Sequence, residues 1–173
     1  MTSQIFKHLA LMFVSFFSMV LSLQAQTPQT AQDPQTPQTT QTQVSIEEQL
    51  ARLKRWEAMQ PDSLAPKYQQ ALVILNYAVM NPQDSKSKDL LPEANNIINK
   101  MEALQPKKAT DLSDIAALRG FYFTCLVVEN PAQNGPRYYR DALDNFDKAL
   151  NLNPDNELAK MLQKKFHEGM NNY

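Results

Sequence analysis

Few side chains in this 173-residue chain are equipped for chemistry, and their spacing keeps them apart. There are two histidines, His8 and His167, and one cysteine, Cys125. A Cys/His metal cluster needs three or four ligands at short spacing, and a thiol nucleophile needs a neighbouring base. Neither pattern is present. Three glycines in the whole chain leave no Gly-rich phosphate loop. The acid pairs Glu47/Glu48 and Asp111/Asp114 stand where helices begin, so capping and dipole compensation account for them better than general acid-base work. His167 reads as a solvated residue near a helix C-terminus. Cys125 lies in an apolar run and reads as a buried, inert thiol. No metal or cofactor is expected.

What remains is a set of Arg and Tyr residues: Arg119, Tyr122, Arg137, Tyr138 and Arg140. These types bury large areas and bond at their tips, which is how protein interfaces gain most of their affinity. Arg119 is a lone charge in an apolar stretch, so its guanidinium must reach an acid, an edge or a ligand. An internal ion pair is the plainer outcome. Tyr138 and Tyr139 are adjacent and point to different faces of a helix. Tyr139 is assigned to the core and Tyr138 to the surface.

The elements that hold these residues follow from hydrophobic periodicity. Six helices are expected and no strand. The first starts at Ser45, with Glu48 three residues on as a capping box, and carries Ile46, Leu50, Leu53 and Trp56 to about residue 60. The second buries Tyr68, Ala71, Leu75 and Ala78 and stops before Pro82. The third spans about 91–104, the fourth 112–129, the fifth 137–151. The sixth has Pro154 in its first turn, with Leu158, Leu162 and Phe166 inward. The fourth is apolar nearly all round from residue 115 to 128, so it is expected at the centre of the domain. Gly120 within it costs about 1 kcal/mol relative to alanine, a cost that close approach of a neighbouring helix would offset.

The ends differ. Residues 9–23 carry no charge, follow Lys7 and precede Ala25, which reads as a signal peptide over 1–25. Residues 26–43 are nearly all Gln, Thr and Pro and read as a disordered linker. Residues 44–173 are then one helical domain. Without Lys7, 16 basic and 18 acidic residues remain, a net charge of −2. Such a balance gives no basic patch for nucleic acid. The chain is expected outside the cytoplasm, in a periplasm or beyond the cell, with no stable membrane insertion once the leader is cleaved.

A pattern is written twice. Asn81-Pro82, Ala94, Ile98, Met101 and Pro106 are followed about 48 residues later by Asn130-Pro131, Ala142, Phe146, Ala149 and Pro154. Self-similarity at a period longer than one helix marks stacked helix pairs. Ala142-x3-Phe146-x2-Ala149-x4-Pro154 resembles the second half of a tetratricopeptide repeat, and the chain with its leader resembles small exported repeat proteins of Gram-negative bacteria. The unit is longer than that family's, about 34 residues, and the excess is assigned to loops at 81–89 and 130–136. The resemblance implies an all-α, TPR-like short right-handed α-solenoid of about six helices. It implies a non-catalytic adaptor whose surface binds a protein or peptide partner. A peptide- or glycan-binding subunit of a cell-envelope complex is the alternative, and a short array whose ends need covering allows a homo-oligomer.

Overall fold

The computed structural model describes residues 44–171, so the signal-peptide and linker assignments over 1–43 lie outside the described residues. Six α-helices and no strand make up those residues: α1 (Ile46–Met59), α2 (Leu64–Met80), α3 (Ser85–Ala103), α4 (Ala109–Glu129), α5 (Pro131–Leu152) and α6 (Glu157–Asn171). The all-α class is as expected.

The expected capping box begins α1: Ser45 Oγ accepts from the Glu48 N–H at 3.2 Å, and the Glu48 carboxylate accepts from the Ser45 N–H. Several helix starts depart from the sequence reading. Helix α3 starts at Ser85 rather than near residue 91, capped by Asp84, whose Oδ1 accepts from the Lys86 N–H at 3.0 Å. Helix α5 starts at Pro131 rather than Arg137. Pro92 and Pro136 lie inside these helices. Each removes one N–H donor. The carbonyls left over belong to residues 88 and 132, both exposed, where water can satisfy them.

The lengthened repeat therefore resides in long helices, not in loops. Helices α3, α4 and α5 run to 19, 21 and 22 residues. Asn130 alone joins α4 to α5. Its N–H donates to the Leu126 carbonyl, ending α4, and its side-chain oxygen accepts from the Gln133 N–H, opening α5. At the other end of α4, Gln105 adopts φ 50° ahead of Pro106, a left-handed residue that turns the chain out of α3.

Helix α4 is central. It packs against α2, α3, α5 and α6, while α1 packs on α2. Its buried residues include Ile115, Leu118, Phe121, Cys125 and Val128. Gly120 earns its place: a Cβ there would lie 2.5 Å from the Phe146 ring and 3.1 Å from the Ala142 carbonyl oxygen. The glycine lets α5 approach closely enough for Phe146 to be wholly buried, as are Ala142 and Ala149 beside it.

Helix α6 begins later than expected. Pro154 and Asp155 form the preceding turn, and Asn156 caps the helix by accepting from the Ala159 N–H at 2.9 Å. Asn156 is itself buried. Its Nδ2 donates to Ser113 Oγ and to Asp114 Oδ1, both at 2.9 Å, and Ser113 Oγ donates to the Ala149 carbonyl at 2.7 Å. One side chain thus joins the start of α4, the end of α5 and the start of α6. Burial, and then the charge of Asp111, hold the Asp114 carboxyl above its usual range, against the Asn156 hydrogen bond. Asn156→Ala removes the cap and the donor to Ser113 Oγ and Asp114 Oδ1, so it is expected to lower unfolding free energy by about 1–2 kcal/mol. Urea denaturation measures this, and an unchanged midpoint would show the network to be energetically idle.

A second polar cluster was not foreseen. Lys67, only 4% exposed, donates to the carbonyls of Pro61 and Ser63, closing the α1–α2 turn. It lies 3.4 Å from the Glu57 carboxylate, which also accepts from Gln70 at 2.7 Å. Burial opposes ionisation of Glu57, but the hydrogen bonds from Gln70 and Lys67 prevail and hold it below the ordinary glutamate value of 4.5. A depressed carboxyl stabilises the fold above the unfolded pKa, and that stability is lost as pH falls through the folded value. The stability gap between wild type and Glu57→Gln is therefore expected to be full at pH 6 and to shrink progressively below about 4.5. Thermal melts of both proteins across that range test it, and a constant gap would contradict the linkage.

Candidate functional site

The Arg/Tyr residues singled out from the sequence fall on α4 and α5, and the structure separates them into two groups. Arg119 is already committed. Its guanidinium donates to Asn95 Oδ1 and, at 2.8 Å, to Asn99 Oδ1, and it pairs with Glu102 at 2.9 Å. Those acceptors stand at 95, 99 and 102, one face of α3. The plainer outcome holds: Arg119 ties α4 to α3 and is not a free binding group.

The other group forms a continuous surface. Tyr122 and Phe123 pack with ring centroids 5.5 Å apart and planes tilted by 58°. Phe123 stacks on Tyr138 across the α4–α5 interface at 5.7 Å and 27°. The Arg137 guanidinium then lies 4.9 Å from the Tyr138 ring centroid. The assignment of Tyr139 to the core and Tyr138 to the surface is corrected. Both are half-buried, because α5 meets α4 along a face broad enough to take the two adjacent rings at its margins. Arg137 and Arg140 are exposed and pair with no carboxylate among the described residues.

Burial raises the Tyr122 hydroxyl above its usual range. Tyr138 and Glu129 add to this, and Arg119 opposes it. Tyr122 therefore stays a neutral donor and acceptor throughout the physiological range. Phe123 was not singled out from the sequence, although it is the ring that links Tyr122 to Tyr138. An aromatic triplet Phe121-Tyr122-Phe123 on a helix must send at least one ring outward, and that was the available signal.

The remaining candidates are placed as expected. His167 is exposed on α6. The Cys125 thiol is buried, donates to the Leu75 carbonyl at 3.4 Å, and is pushed well above the usual thiol range by burial. Among the described residues, no group of three or more His, Cys, Asp or Glu side chains is arranged to hold a metal. No helix among them is long and apolar enough to cross a membrane.

Cavities lie elsewhere. One of about 250 Å³ opens between the starts of α2 and α4 and the end of α3, lined by Leu64, Tyr68, Gln69, Met101, Asp111 and Asp114. Burial, with Asp114 nearby, pushes the Tyr68 hydroxyl up to about 12. Another, of about 350 Å³, lies where Gln83 donates to the Glu129 carbonyl beside Asn130. A third, of about 310 Å³, lies along the outer face of α6.

No family model, curated protein or solved structure matches the chain.

Proposed function

We propose that the chain is a non-catalytic, exported interaction module built from TPR-like stacked helix pairs, and that it presents the α4–α5 face to a protein or peptide partner. The order of packing supports the helix-pair reading. Helices α2 and α3 pack as neighbours, as do α4 and α5, and α4 meets both α2 and α6 across the pair boundaries. The recurrence of Ala94 and Ala142 at wholly buried positions of α3 and α5 agrees with it. Neither nucleic acid nor a cofactor belongs to this reading, and self-association is compatible with it.

The observation that carries the proposal is the run Tyr122–Phe123–Tyr138–Arg137. Half-buried rings stacked into one another are rigid before any partner arrives, so little ordering entropy is lost on binding. Their exposed edges sit beside unpaired guanidinium groups, the composition of an interface centre and its rim.

The test is affinity capture with the full chain, comparing wild type with the Tyr122→Ala/Arg137→Ala double variant and with His167→Ala, each checked for an unchanged helical spectrum. A partner retained by wild type and His167→Ala but depleted at least tenfold by the double variant is the expected result. A partner retained equally by the double variant, or lost only with His167→Ala, moves the functional surface away from α4–α5 and overturns the proposal.

A further inference from the structure

Resting on that reading, we propose that the α4–α5 face recognises an internal acidic segment of its partner, with an Asp or Glu carboxylate held by Arg137 and an adjoining apolar side chain set against Tyr122 and Phe123. The argument begins with the guanidinium. Arg137 lies over the Tyr138 ring, 4.9 Å from its centroid, and that ring rests on Phe123. A guanidinium at that distance from a ring is held by the cation–π attraction, and its exposed N–H groups can still meet a planar anion in bidentate fashion. The attraction also holds a long side chain in place, removing much of the rotamer entropy that exposed ion pairs normally lose.

Charge is the second strand. Arg140 is exposed one helical turn beyond Arg137. Of the three acids of α5 itself, Asp141 and Asp144 stand four residues beyond Arg137 and Arg140 without lying within ion-pairing distance, and Asp147 accepts from Gln163 of α6. From α3, Glu102 is occupied by Arg119. From α4, Glu129 acts on the Tyr122 hydroxyl, and its backbone carbonyl holds Gln83. Neither Arg137 nor Arg140 is held in an ion pair, Arg137 lies against the aromatic run, and a carboxylate-bearing segment supplies the partner that it lacks.

Shape is the third. Helices α3 and α5 both pack on α4 but make no contact with each other. Tyr122, Phe123 and Leu126 of α4 are half-exposed. An extended segment can lay one apolar side chain against these half-exposed rings while its carboxylate reaches Arg137.

The experiment is calorimetric titration of the full chain with three seven-residue peptides. Each is acetylated and amidated so that no terminal charge contributes, and each has a central Leu-Phe. The flanks are Asp/Glu in the first, Asn/Gln in the second and Lys in the third. The acidic peptide is expected to bind at least tenfold more tightly than the neutral one, and the lysine peptide not at all. Arg137→Ala is expected to weaken the acidic peptide at least tenfold. Arg137→Lys recovers little, because an ammonium lacks the planar fork, and Tyr138→Phe keeps the affinity by keeping the ring. Equal binding of acidic and neutral peptides, or acidic binding indifferent to Arg137, overturns the acidic inference and leaves the interaction module standing. Absence of binding by all three peptides at millimolar concentration, with a partner still captured through the same face, likewise overturns this inference alone. Tighter binding by a neutral peptide with a free C-terminus would replace the internal carboxylate with a terminal one and overturn it too.

Discussion

Phe146→Ala is expected to lower the unfolding free energy by about 3–5 kcal/mol, the usual range for truncating a buried phenylalanine. The side chain is wholly buried, and it lies in the gap that Gly120 opens on α4, flanked along α5 by Ala142 and Ala149. Gly120 opposite the ring, and Ala142 and Ala149 beside it on α5, are too small to swing in and fill the cavity. The loss should therefore sit toward the upper part of that range. Urea denaturation followed by circular dichroism measures it, with the slope of the transition checked for constancy. A change below about 1 kcal/mol would mean that α4 and α5 are not held together through this ring.

How much of this was legible in the sequence depended on whether a residue's role is local or tertiary. The Ser45/Glu48 cap was readable because both partners lie within one turn of each other. The burial of Phe146 and the meaning of Gly120 were readable because small-large-small spacing on one helix and a glycine on the next imply close approach. The starts of α3 and α5 were less legible, with Pro92 and Pro136 inside those helices. Their local preference argues for a break, but Asp84 and Asn130 cap the helices upstream, and packing of Leu91 and Ala142 keeps the later turns in place. Tertiary contact outweighed propensity there.

The polar clusters were less legible. Asn156 sits 43 residues from Ser113, and its side chain would be read from sequence only as a turn former. Nothing in the sequence marks Lys67, which two backbone carbonyls of the α1–α2 turn and the Glu57 carboxylate of α1 draw in. In the candidate site, the sequence did not show which residues are already engaged within the fold. Arg119 had its three α3 partners at 95, 99 and 102, spacing that a helical wheel of α3 would have grouped. Phe123 was passed over because an apolar ring in an apolar helix carries no distinguishing mark until α5 is placed against it.

Gly120→Val is expected to cost about 3 kcal/mol, against the gain of helix propensity that replacing a glycine normally brings. The reason is geometric. The first added carbon would already lie 2.5 Å from the Phe146 ring, inside any real contact distance, and the ring is wholly enclosed. Backbone stands behind the site as well, with the Ala142 carbonyl oxygen at 3.1 Å from the same position. Either Phe146 leaves its rotamer or α5 shifts outward along its contact with α4, and both disturb the Tyr138–Phe123 stack on the same interface. The two central predictions are therefore coupled and can be tested as a cycle. If Gly120 is small in order to admit Phe146, the combined Gly120→Val/Phe146→Ala variant should be more stable than the sum of the two losses allows, because the valine fills part of the space that the phenylalanine vacates. Strict additivity would show that the two side chains do not compete for one volume, and that the close approach of α4 and α5 has another origin.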